Sequence, residues 1–201
     1  AAEPLFGGLL RALSDAGIKT QIVAHSMGTR LALEALGQNG ARADQVVLTA
    51  ADIGIAQDDD QFLTLTRAAA SHFTRLTVYA SRGDAVLAIS KRFNNGVPRL
   101  GREPLAAYRA DAPKVDVIDV SNVPGDYTGH NYYGLSYEII ADMALTLDGV
   151  PAPARLKPRG IAAPTLLPGD DGLPYRLNVA DDRTPGFFTR LLRWVVTAFT
   201  D

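Results

Sequence analysis

The chain has 201 residues, of which 47% are hydrophobic and 21% charged, with a formal net charge of −2. This is the make-up of a folded protein of about one domain. It excludes a disordered or low-complexity chain and a general basic footprint for nucleic acid. No cysteine is present, which rules out disulfides, thiol catalysis and cysteine-ligated zinc, and His25, His72 and His130 are too few for a histidine-rich metal site.

Leu5, Phe6, Leu9, Leu10 and Leu13 recur at helical spacing up to Asp15, and Gly17 fits a stop. Ile18 to Ala24 is short, apolar and β-branched and predicts a buried strand. Met27 to Leu36 returns to helical spacing, closed by Gly37, and Gln45 to Ala51 predicts a second buried strand. Asp58 to Phe73 reads as a helix with an acidic first turn that suits its dipole. Arg75 to Ala80, Ala85 to Phe93, Lys114 to Val120 and Tyr132 to Leu147 then read as strand, helix, strand and helix. Strands alternating with helices imply parallel pairing, hence a three-layer α/β/α sandwich around a mostly parallel sheet.

After Val150 the texture changes. Seven of the twelve prolines lie between Pro151 and Pro185, so residues 1–150 are taken as the core and 151–201 as a proline-rich arm over it. A helix is predicted over Arg183 to Phe199, with Phe188, Leu192, Val195, Val196 and Phe199 on one side. Packing over the domain is the favoured use of that face, and contact with a membrane surface the lesser one. No apolar run is long enough for a transmembrane helix. The chain opens Ala1-Ala2-Glu3, without methionine or a recognisable leader, and its compartment is left open.

The segment with chemistry is Ala24-His25-Ser26-Met27-Gly28-Thr29, set where a buried strand meets a helix. It has the form of a nucleophile elbow, a sharp turn that lifts a serine hydroxyl above the sheet. Gly28 fills one of the small positions such a turn needs; Ala24 replaces glycine at the other. The competing reading is an ordinary strand-to-helix turn with a serine cap. A serine nucleophile needs a base, and the base needs an acid, in the chain order nucleophile, acid, histidine. His130, in the loop after the fourth strand, is the expected base. His25 adjoins the nucleophile, and its ring is expected to point away from it; His72 is assigned to surface or packing. Asp84, after the third strand, is favoured as the acid over Asp52, after the second; it could also cap the helix from Ala85. Asp126 reads as a structural residue of the base loop, and Asp58-Asp59-Asp60 as a solvated helix start. The backbone N–H of Met27 is the expected oxyanion donor. No metal or organic cofactor is implied.

Four segments, IVAHSMGTRLALEAL, VVLTAADI, TRLTVYASRGDAVLAISKRFN and VDVIDVSNVPGDYTGHNYY, resemble in order a bacterial α/β-hydrolase family known as domain of unknown function 900. The resemblance runs from about Ile18 to Leu147 and implies a serine hydrolase acting on esters or similar acyl compounds, with Ser26, Asp84 and His130 at the matching positions. The departures are Ala24 and the lack of strands before the elbow. A missing N-terminal segment or a partner chain is therefore expected to complete the sheet beside Ile18 to Ala24, an edge that would otherwise invite association. The expected substrate is a small-molecule or lipid ester. A catalytically incompetent interaction module on the same fold is the alternative.

Overall fold

The structure is a computed structural model that describes residues 3–56, 60–103, 114–123, 126–160, 162–170 and 172–179, without the side chains of Glu3 and Asn39. In chain order the elements are α1 (Glu3–Asp15), β1 (Gln21–His25), α2 (Gly28–Asn39), β2 (Ala43–Thr49), α3 (Gln61–Ala69), β3 (Phe73–Ala80), α4 (Ala85–Phe93), β4 (Val115–Asp119), α5 (Tyr137–Leu147), α6 (Ala152–Arg155), β5 (Leu166–Pro168) and β6 (Tyr175–Leu177).

One sheet runs in the order β1-β2-β3-β4-β6-β5. The first five strands in that row are parallel, and β5 returns antiparallel on β6. Alternation along the strands sends side chains to two buried faces, as a sheet covered on both sides requires. Val46, Leu48, Leu76, Val78, Val115 and Val117 pack with Leu10 of α1, Leu33 and Leu36 of α2 and Phe62 of α3. Val47, Tyr79 and Ile118 pack on the opposite face with Ile139 of α5 and Ala152 of α6. The predicted three-layer class is what forms. Among the described residues no helix is long and apolar enough to cross a membrane.

Several boundaries differ from those predicted. α2 runs past Gly37 to Asn39 and ends on Gly40 in the left-handed conformation, φ 64°. Gly37 instead lies against α3, where an added Cβ would sit 3.2 Å from that of Ala68. α3 stops at Ala69 rather than Phe73, because Phe73 opens β3 and pairs with Ala43. His72 lies in the connecting turn, its carbonyl accepting from Ala43 N–H at 2.9 Å. The predicted helix from Tyr132 is a 3₁₀ turn over Tyr132–Gly134 and then α5, whose start is capped by the Ser136 hydroxyl on Ile139 N–H.

After Val150, β6 adds directly to β4, with Ile118 beside Tyr175 and Asp119 beside Arg176. The predicted helix over Arg183 to Phe199 lies outside the described residues. At the other end β1 is the edge strand among the described residues, and Val23 on it is 46% exposed.

The C-terminal ends of the parallel strands carry the loops of interest. A strap through Pro98–Gly101 binds two of those ends together. Ile55 N–H donates to Pro98 O, Leu100 N–H to Ile53 O and Gly101 N–H to Ala51 O, while Ser81 N–H donates to Gly101 O. A Cβ at position 101 would lie 2.3 Å from Ala51 N, so only glycine fits this crossing.

Candidate active site

Ser26 occupies the single residue between the end of β1 and the N-cap of α2. Its φ is +54°, a left-handed backbone that costs free energy for any residue with a Cβ. Four hydrogen bonds hold it there. Ser26 N–H donates to Thr49 O, Asp52 N–H and Thr29 N–H donate to Ser26 O, and the Thr29 hydroxyl donates to Ser26 O at 2.6 Å. Ala24 is buried, and its carbonyl accepts from the Thr49 hydroxyl. Crowding at Gly28 is not found: a Cβ there meets nothing within 4 Å, since α2 leaves the sheet at its edge strand.

Asp84 follows β3 and is wholly buried. Its two oxygens have separate tasks. Oδ1 accepts from Leu87 N–H at 2.9 Å, capping α4, and Oδ2 faces His130 Nδ1 at 2.8 Å. The cap and the histidine contact therefore coexist. Asp52 is engaged elsewhere: its Oδ1 accepts from Arg99 Nε at 2.6 Å and from the Ser90 hydroxyl at 2.7 Å.

His130 is held at more than its ring. Asp126 Oδ1 accepts from His130 N–H at 3.1 Å and from the Thr128 hydroxyl, and its other oxygen accepts from Asn131 Nδ2. Burial pushes the Asp126 carboxyl up, but these donors outweigh it and hold the group below the usual carboxylate range. Thr128 O accepts from Ala85 N–H, tying the loop to α4. Two residues beyond His130, the buried Tyr132 hydroxyl accepts from Ala50 N–H at 2.7 Å and donates to Tyr79 O at 2.8 Å. Those backbone groups are freed where β2 ends, with Ala50 at φ +47°. This clamp fixes the base loop to the ends of two central strands. It was hidden in the sequence, because Tyr132 reads there only as an apolar helix position.

The His25 ring lies against the base loop. It packs 4.6 Å from the ring of His130, at an interplanar angle of 63°, and 4.7 Å from that of Tyr133. His25 Nε2 donates to the His130 carbonyl at 3.2 Å. Burial is the first cause that keeps His25 below the ordinary imidazole value, with the neighbouring His130 adding to it. Burial also pushes His130 down, but the hydrogen bond and charge of Asp84, with Asp126 and Asp52, outweigh it and raise His130 above 6.5.

The structure thus brings His130 onto Asp84 and brings its loop against the residue preceding Ser26. No hydrogen bond joins the Ser26 hydroxyl to the His130 ring. Met27 N–H has no acceptor among the described residues and lies at the N-terminus of α2, while its side chain is 75% exposed. Of the acidic run, Asp60 caps α3 through Leu63 N–H at 2.8 Å, and Asp58 and Asp59 lie outside the described residues. Among the described residues no group of three metal-ligating side chains forms.

A family model described as an alpha/beta hydrolase of unknown function (DUF900) matches residues 4–147. No curated protein and no solved structure matches the chain.

Proposed function

This chain belongs to the DUF900 family of α/β-hydrolases, and on that premise we propose that it cleaves carboxylic esters with Ser26 as nucleophile. The observation that carries the reading is the buried pairing of Asp84 Oδ2 with His130 Nδ1 at 2.8 Å, in a loop packed against the residue next to Ser26. A carboxylate on Nδ1 fixes the imidazole with its proton there and leaves Nε2 bare to accept one. Ser26 Oγ attacks the acyl carbonyl as His130 Nε2 takes its proton. The carbonyl oxygen becomes an oxyanion, for which Met27 N–H, without an acceptor among the described residues, is the donor beside the positive end of α2. The C–O bond to the alcohol breaks, and His130 returns the proton to the leaving oxygen. Water, activated by the same ring, then releases the acid from the acyl-serine.

A fluorophosphonate probe tests this directly. The expected result is one label on Ser26, located by peptide mass, and none on Ser26→Ala. A folded wild-type chain that stays unlabelled would favour the second reading, a non-catalytic interaction module. That reading is supported by the lack of a hydrogen bond between the Ser26 hydroxyl and His130.

The pH profile follows from His130. The base must be neutral, so kcat/KM is expected to fall on the acid side with an apparent pKa above 6.5. The raised value has the opposite consequence for stability. Protonated His130 is favoured in the folded state, so its contribution is fully present below 6.5 and is lost as pH rises through the raised value. Activity should therefore climb across the same interval in which this contribution to stability declines. An acid-limb pKa clearly below 6.5 would contradict His130 as the base.

A further inference from the structure

Within the serine-hydrolase reading, on which this inference rests, we propose that His25 is a positioning residue: its imidazole clasps the base loop to the strand of the nucleophile. A carbonyl oxygen only accepts, so the 3.2 Å contact to His130 O requires that His25 Nε2 carry the proton. His130 is then fixed at three points: its N–H on Asp126, its carbonyl on His25 and its Nδ1 on Asp84. The other anchors of the loop reach different parts of the sheet. Thr128 O binds the start of α4, and the Tyr132 hydroxyl binds the ends of β2 and β3. The His25 bond is the one that reaches β1, whose next residue is Ser26.

This arrangement bears on the step that is not yet made in the free protein. The Ser26 hydroxyl and the base sit on separate segments, and their approach depends on how β1 and the base loop are held relative to each other. The donor on His25 sets that relation through a covalent neighbour of the nucleophile. The ring stack with Tyr133 at 4.7 Å orients the donor. His130 and Tyr133 pack directly on the His25 ring, and the charges of Asp84 and Asp126, both bonded to His130, act on it as well. A neutral His25 also spares His130 a second cation 4.6 Å away when it takes the proton from serine.

The test uses His25→Phe, which keeps a ring and removes the donor, and His25→Gln, which restores an N–H without the ring. Two readouts are taken on the full chain: the low-field proton NMR signal of the His130 Nδ1–H shared with Asp84, and steady-state hydrolysis of p-nitrophenyl acetate. In His25→Phe the signal is expected to broaden into solvent exchange. Its kcat should fall about 10- to 100-fold with KM unchanged, the cost of a small misplacement of reacting groups. His25→Gln is expected to recover most of both. Unchanged signal and kcat in His25→Phe would overturn the proposal, as would equal impairment of a folded His25→Gln. Should the wild type show the signal but no turnover, the hydrolase reading fails, while the signal in the two variants still decides the role of His25.

Discussion

Asp84→Asn should lower kcat/KM for p-nitrophenyl esters by about four orders of magnitude while leaving the thermal midpoint nearly unchanged. The separation is possible because the two oxygens of Asp84 serve different partners. Asparagine caps helices about as well as aspartate, so its carbonyl oxygen can still accept from Leu87 N–H. The amide nitrogen then faces His130 Nδ1, and two donors cannot share that contact. The ring answers by moving its proton to Nε2, the nitrogen that accepts from Ser26 in the proposed mechanism. The loss of the carboxylate also removes the hydrogen bond and charge that raise His130 against the effect of burial. Asp84→Ala makes the comparison complete: it should lose the same activity and also about 1 kcal/mol from the missing cap. Steady-state kinetics and thermal denaturation of the two variants check both halves. An Asp84→Asn protein that keeps a tenth of wild-type activity would remove Asp84 from the mechanism.

The largest effect on stability is expected at Asp142. Arg155 is fully buried, as is Asp142, and Nη1 of Arg155 bonds both Asp142 Oδ2 and, at 2.6 Å, the Thr146 hydroxyl. The Tyr79 hydroxyl donates to Asp142 Oδ2 at 2.7 Å, and the Thr165 hydroxyl donates to Asp142 Oδ1. Burial is the first reason the Tyr79 phenol is held far above its ordinary value, so it remains a donor throughout the working range. This network joins β3, α5, α6 and the segment leading into β5, and so ties the region after Val150 to the core. Arg155 Nε and Nη2 have no partner among the described residues, which leaves the guanidinium charge dependent on Asp142. Asp142→Ala strands that charge and should cost about 3–5 kcal/mol, lowering the midpoint by roughly 10 °C for a chain of this length. The double variant Asp142→Leu with Arg155→Met removes both charges, and urea denaturation should find it more stable than Asp142→Ala alone. The reverse order would mean that the pair stabilises through something other than mutual compensation.

The sequence disclosed the central elements because their physics is local. β3 and β4 are apolar runs rich in branched side chains, and α4 shows a clean period with an aspartate before it and Asn94-Asn95-Gly96 after it. The predicted limits of α4 match those observed, Ala85–Phe93. Phe73 misled because one apolar residue at a junction suits either a helix face or a strand, and only pairing with Ala43 decides it. β5 and β6 carry no readable period, being three residues each and set among prolines. At the candidate site, loop position and chain order singled out Asp84 and His130, which the structure brings together. The turn of the His25 ring toward His130 could not be read in this way, because at a strand end alternation no longer dictates direction. The clamp made by Tyr132 also escaped notice, since its partners are backbone groups with no sequence signature.

Ser26 sits at the end of a strand that is outermost among the described residues, which has a consequence for how activity would be lost in a chain of these 201 residues taken alone. Asp84 hangs from β3, an interior strand paired on both sides, whereas β1 is paired only to β2 among the described residues. Peripheral strands open at lower free energy than central ones. Mild denaturant should then release the serine before the acid and base, so that probe labelling fades while the Tyr79 and Tyr132 environments remain intact. On the hydrolase reading, fraying of that one margin would silence the chemistry completely, with most of the body still folded.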